Sequence, residues 1–237
     1  MTKRSVLRDR RRRQQERQRL VIIIIIVVAA LAVAGLLILP NFLPVGEIVS
    51  ITPHPRPNAQ GTSMGNPDAP VRIDVFEDFQ CPACRAFTQN YEPKLIANDI
   101  PTGRVYYVFR QWPFIGPESH QAANASMCAN AQGRFWDYHD MLFTNQTGEN
   151  VGAFADRRLV AFAEDLGLNM SDFNACFNRN EYQAEIQSDY SEGTQLGVRG
   201  TPAVFVNGVQ LAPGLVPSYD QILQAIDSAI AGTSVTP

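Results

Sequence analysis

The chain reads as an α/β sandwich with an inserted helical domain, preceded by one N-terminal transmembrane helix. Three observations predict this. An uncharged apolar run fills residues 20–39. Apolar stretches of strand character lie at 71–76, 104–112 and 201–212. Between the last two, residues from about 118 to 196 keep helical spacing broken by several stop signals, enough for four or five short helices.

The apolar run, "LVIIIIIVVAALAVAGLLIL", holds no charged or amide side chain. At a rise of about 1.5 Å per residue it spans roughly 30 Å, the thickness of a bilayer's hydrocarbon core. Nine of the chain's 20 Lys and Arg residues fall in residues 1–19, beside two of its 23 acidic residues. The start is therefore strongly basic and the remainder acidic, which the overall charge of −3 conceals. A basic tail can bind nucleic acid. Beside an apolar span it reads instead as the positive-inside signal, with the tail (1–19) in the cytoplasm, the body outside and no nucleic-acid partner. The apolar run exceeds the roughly 7–15 residues of a secretory h-region, so an uncleaved anchor is expected. Residues 40–66, rich in Pro, Gly and small polar residues, read as a linker.

The folded part, 67–237, opens with "VRIDVF" (71–76) as a strand, the cysteine-containing "FEDFQCPACRAF", and a helix to about residue 96 that Pro93 bends or interrupts. "RVYYVFRQW" (104–112) is the second strand, and the helical insertion covers about 117–197. "TPAVFVNGVQLA" (201–212) reads as a hairpin turning at Asn207-Gly208. "SYDQILQAIDSAI" (218–230) closes the chain as an amphipathic helix.

Cys81-Pro82-Ala83-Cys84 places two thiols one helical turn apart. Pro82 suits the first helical position, which sets Cys81 at the helix N-terminus, where free N–H groups and the dipole stabilise a thiolate. Thiolate is the form that attacks disulfides, and Cys84, more covered, is then the resolving partner. The same spacing also serves half a zinc site, with Cys128 and Cys176 as the other half, or a purely structural bridge. Cys128 and Cys176 lie 48 residues apart, without paired metal-ligand spacing. Outside the cytosol an even cysteine count favours a second bridge between them over two free buried thiols.

The stretches "GNPDAPVRIDVFEDFQCPAC", "AANASMCANAQGRFWDYHDMLF" (122–143) and "LGVRGTPAVFVNG" (196–208) resemble, in that order, the opening, the helical insertion and the cis-proline loop of the DsbA-like thioredoxin-fold family. The resemblance implies a membrane-anchored bacterial thiol–disulfide oxidoreductase with a thioredoxin fold. It implies a cis Thr201-Pro202 bond beside the Cys81–Cys84 pair, with the Thr201 backbone free to pair with an extended substrate. Family members often carry a Glu six residues before the first cysteine as a proton shuttle. Here that position is Val75, and Glu77 either substitutes or is a solvated strand-end carboxylate. Asp78 is expected to cap the following helix. Ala83 stands where strong oxidases carry His, and Arg85 is expected to point to solvent.

The expected function is the introduction of disulfides into exported client proteins, with re-oxidation by an integral-membrane, quinone-linked thiol oxidase. A reductase or isomerase of the same fold, or a non-catalytic binding module or chaperone, are the alternatives. No cofactor and no metal are expected. His120 and His139 read as structural or surface histidines, and nothing resembles a phosphate loop or a Ser/His/Asp triad.

Overall fold

The computed structural model describes residues 3–38 and 45–236, with side chains of the first helix described from Gln18 to Leu36. Leu39 of the predicted span and residues 40–44 of the predicted linker lie outside the described residues. The chain divides into two units, Met1–Gly46 and Glu47–Pro237. The first holds one helix, α1 (Lys3–Ile38), whose Gln18–Leu36 segment is long and apolar enough to cross a membrane.

The second unit is built on a mixed sheet of order β1-β3-β2-β4-β5. β2 (Val71–Glu77) lies at its centre, parallel to β3 (Val105–Gln111) and antiparallel to β4 (Ala203–Val206). Val71, Ile73 and Val75 are fully buried on one face, while Phe76 is buried on the other, so both faces are covered. β4 turns at Asn207 and Gly208 into β5 (Val209–Gln210), both turn residues having the positive φ that a tight hairpin requires.

α2 (Pro82–Asn90) follows β2 directly, with Pro82 in its first turn. α3 (Glu92–Asn98) follows after a break at Tyr91. Pro93, with no N–H to give, sits in the first turn of α3, which explains the interruption. The insertion comprises α4 (Pro117–Asn130), α5 (Phe135–Thr144), α6 (Asp156–Asp165), α7 (Met170–Asn178) and α8 (Gln183–Gln195). A Cys128–Cys176 disulfide ties α4 to α7, with Cα atoms 5.8 Å apart. α9 (Tyr219–Ile230) starts on a Ser218/Gln221 capping box.

The stretch read as a linker carries structure in its second half. β1 (Ser63–Gly65) adds an antiparallel edge to β3. Upstream, the side chain of Asn145 accepts from Val49 N and donates to Val49 O, both at 2.9 Å. Arg56 makes ion pairs with Glu92 and Asp140. These partners come from 36 to 96 residues away, so no local periodicity announces them.

Candidate active site

Cys81 is the N-cap of α2, in extended conformation, and Cys84 lies one turn inside the helix. The two are free thiols, 7% and 0% exposed. The peptide bond between Thr201 and Pro202 is cis, and Cys81 Sγ lies 3.2 Å from the Thr201 carbonyl oxygen. The loop after β3 and the loop after α8 thus close on the helix N-terminus from two sides.

The two thiols are held in opposite protonation states. The Cys84 thiol donating to Cys81 sulfur is the main stabiliser of the Cys81 thiolate. Burial opposes it, and hydrogen bonds from Thr201 and the N–H groups of Cys84 and Ala83 add to it. The result is a Cys81 value lowered to about 6. Burial, then the Cys81 hydrogen bond and the Glu77 charge, push Cys84 well above the ordinary thiol range. The arrangement favours the thiolate at Cys81 and the protonated thiol at Cys84.

Glu77, at the end of β2, is fully buried. Its Oε1 accepts from the Tyr107 hydroxyl at 3.4 Å. Burial, then the charges of Glu92 and Cys81, raise its carboxyl well above the usual range. The solvated strand-end alternative for Glu77 therefore does not apply. Val75 is a core residue. Asp78 does not cap α2: its carboxylate accepts from Gln80 N, Phe114 N and Ile115 N at 2.8 to 3.0 Å, fixing the loop after β3 against the cysteine turn. Arg85 is half-buried and donates to the Gln146 carbonyl rather than reaching solvent or Cys81. Gln146 in turn donates to the carbonyls of Phe79 and Cys81.

Several contributors escaped the sequence reading. Glu92, 1% exposed, and His139, fully buried, approach Glu77 beneath the cysteines. Each of the three offers an atom within 4.8 Å of the others, a spacing that a shared proton, water or cation could bridge. Glu92 precedes a proline in a short helix and reads locally as a surface carboxylate. His139 sits in an aromatic run that reads as packing, and it does pack edge-on against Phe109 and Phe143. Beside Pro202 a groove of about 630 Å³ runs past Ala83, Arg199, Thr201, Leu215 and Val216. Leu215 is 73% exposed and the adjacent Val216 41% exposed, so the groove has an apolar rim.

A family profile described as thioredoxin matches residues 58–228. The chain belongs to the thioredoxin family. It is a DsbA-like thiol–disulfide oxidoreductase. It is 30% identical over 172 residues to the probable disulfide bond formation protein D of Bacillus anthracis, covering 71% of this chain and 77% of that protein. The oxidised BdbD crystal structure from Bacillus subtilis superposes with a TM-score of 0.67 at 24% identity, covering 79% of this chain and all of the other. Wolbachia pipientis alpha-DsbA1 gives a TM-score of 0.63 at 25% identity, covering 72% and 93%.

Proposed function

We propose that the protein introduces disulfides into exported proteins from an anchored position on the outer face of the cytoplasmic membrane. The observation that carries this reading is the asymmetry of the thiol pair, with Cys81 lowered to about 6 and Cys84 pushed up. A thiolate this stable favours the reduced form of the enzyme, which makes its disulfide an oxidant.

In the oxidising direction a client thiolate attacks Cys81 Sγ of the Cys81–Cys84 disulfide. The client–Cys81 bond forms, the Cys81–Cys84 bond breaks, and Cys84 leaves with the electron pair. Glu77, protonated by virtue of its burial, gives Cys84 its proton. A second client thiolate then attacks the client sulfur and releases Cys81 as the thiolate it prefers to be. The client has lost two electrons and the enzyme has gained them. Thr201 positions the client backbone beside Cys81, and the groove past Leu215 and Val216 takes its apolar side chains. An integral-membrane, quinone-linked thiol oxidase removes the electrons again. The span 20–39 and the basic tail before it support this location.

The test has two arms. Cys84→Ser in growing cells should accumulate mixed disulfides between Cys81 and exported proteins, while Cys81→Ser traps none. Alkylation before lysis should find wild-type Cys81 and Cys84 mainly as a disulfide. Trapping through Cys84, or a resting dithiol, would overturn the proposal, the latter in favour of a reductase.

A further inference from the structure

Beyond Glu77, which serves the exchange reaction itself, a set of buried groups leads away from the cysteines. Glu77 Oε2, Glu92 Oε2 and His139 Nε2 are all buried without a hydrogen-bond partner among the described residues. His139 Nε2 and Glu92 Oε2 stand 3.7 Å apart, too far for a direct hydrogen bond and close enough for one intervening group. A single buried polar atom left unpaired costs on the order of 1–3 kcal/mol. Their residues come from three elements, β2, α3 and α5, and each brings one side-chain ligand atom within 4.8 Å of the others'.

Their far sides are fixed. Tyr107 donates to Glu77, and Arg56 donates to both Glu92 (3.0 Å) and Asp140 (2.7 Å). His139 Nδ1 lies 3.0 Å from Asp140 Oδ1. An ionised carboxylate only accepts, so Nδ1 donates its hydrogen to Asp140, which leaves Nε2 turned toward Glu92. Asp140 fits the ionised state: burial works against it, but the hydrogen bond and charge of His139, with Arg56 and His54, hold it below the usual range. Asp140 is 16% exposed and lines, with Arg56, His54 and Glu92, a cleft of about 740 Å³. That cleft shares no residue with the groove beside Pro202.

We propose that Glu77, Glu92, His139 and Asp140 form a proton path from Cys84 to this cleft, so that the resolving thiol exchanges its proton with solvent away from the client groove. The proposal rests on the reading of Cys81 and Cys84 as the exchanging pair and extends it. A protein docked over Cys81 seals the thiols from water, yet Cys84 must gain or lose a proton at each exchange. When Cys84 attacks, the Cys84–Cys81 bond forms, the bond from Cys81 to its outside partner breaks, and that partner leaves as a thiolate. The Cys84 proton goes to one oxygen of Glu77 as Glu77 gives up its own proton from the other. His139 accepts it at Nε2, directly or through Glu92, and releases the Nδ1 proton by way of Asp140 to the cleft. Only protons travel the path. The titratable and charged groups that face it are Cys81 and Cys84 from α2, Tyr107 from β3, and Arg56 and His54 from the segment before β1.

The experiment uses the full chain in detergent micelles, reduced at Cys81 and Cys84 and mixed with dithiobis(2-nitrobenzoate). The first aryl thiolate released reports attack by Cys81. The second reports Cys84 breaking the Cys81–aryl disulfide, the step in which the proton must leave. Glu77→Gln should slow the second release about 100-fold, at the low end of what one positioned acid–base group contributes. His139→Gln and Asp140→Asn should slow it about tenfold and shift its pH profile, leaving the first release unchanged, and formate should restore the second release in Asp140→Ala. Asp140 reaches the surface, so its variants do not depend on repacking a core. Slowing in Glu77→Gln alone would overturn the path and leave the exchange reading standing. Equal slowing of both releases in Asp140→Asn would also overturn it. So would a bound divalent metal whose removal accelerates the second release. Absence of any second release from the wild type would overturn the exchange reading and the path with it.

Discussion

Raising the pH through about 6 is expected to turn Cys81 into its thiolate while Cys84 stays protonated. With the folded value at about 6 and the ordinary value at 9.0, Cys81 is about 90% ionised at pH 7 instead of about 1%. The folded value is the depressed one, so the reduced protein is stabilised as pH rises. The gain is complete above pH 9.0 and is lost as pH falls through about 6. At pH 7 it amounts to about 1.4 kcal/mol, roughly a tenfold ratio. The disulfide form has no thiol to titrate, so the same energy makes the couple about 30 mV more oxidising. The assay is the rate of iodoacetamide alkylation against pH, with peptide mapping to assign the label to Cys81. Half-maximal rate should fall near pH 6. Cys84→Ala removes the largest stabilising contact and leaves Cys81 as the only reactive thiol at the site, so the inflection should move upward. An inflection near 9 in the wild type, or one that Cys84→Ala leaves in place, would refute the reasoning.

Replacing both Cys128 and Cys176 by Ala opens a loop of 48 residues, for which the chain-entropy relation gives a loss of about 4 kcal/mol. Chemical denaturation should register that loss while the release of aryl thiolate by Cys81 is kept, and loss of exchange in the folded variant would contradict a purely structural bridge. Gly193→Ala sets a methyl 2.8 Å from the Trp112 ring and 2.9 Å from that of Phe76. Trp112 is stacked on Tyr190 and Phe76 sits edge-on to Phe205, so neither ring can yield cheaply. A destabilisation of about 1–3 kcal/mol is expected, and an unchanged melting temperature would show that the small core on this face relaxes.

The sequence by itself determined most of the elements and set the Cys81–Cys84 pair at a helix start. Alternation marked β2, an apolar run marked β3, and the Asn207-Gly208 turn marked the hairpin. Helical spacing marked the insertion, Pro82 marked the start of α2 and Pro93 the interruption before α3. These are short-range effects, set by neighbouring side chains and the backbone they allow. The resemblance supplied Thr201 and Pro202, whose approach to Cys81 from 120 residues away no local pattern encodes. Tertiary structure alone decided the electrical character of the site. Glu77 could have been wet or dry at the end of its strand; it is dry because α3 and α5 close over it. Asp78 could have capped α2, but the backbone N–H groups of Phe114 and Ile115 claim its carboxylate. Glu92, His139, Asp140 and Arg56 look like separate surface or packing residues in the chain. Burial shifts a carboxyl only when other elements exclude water from it, and that exclusion arises where distant segments meet.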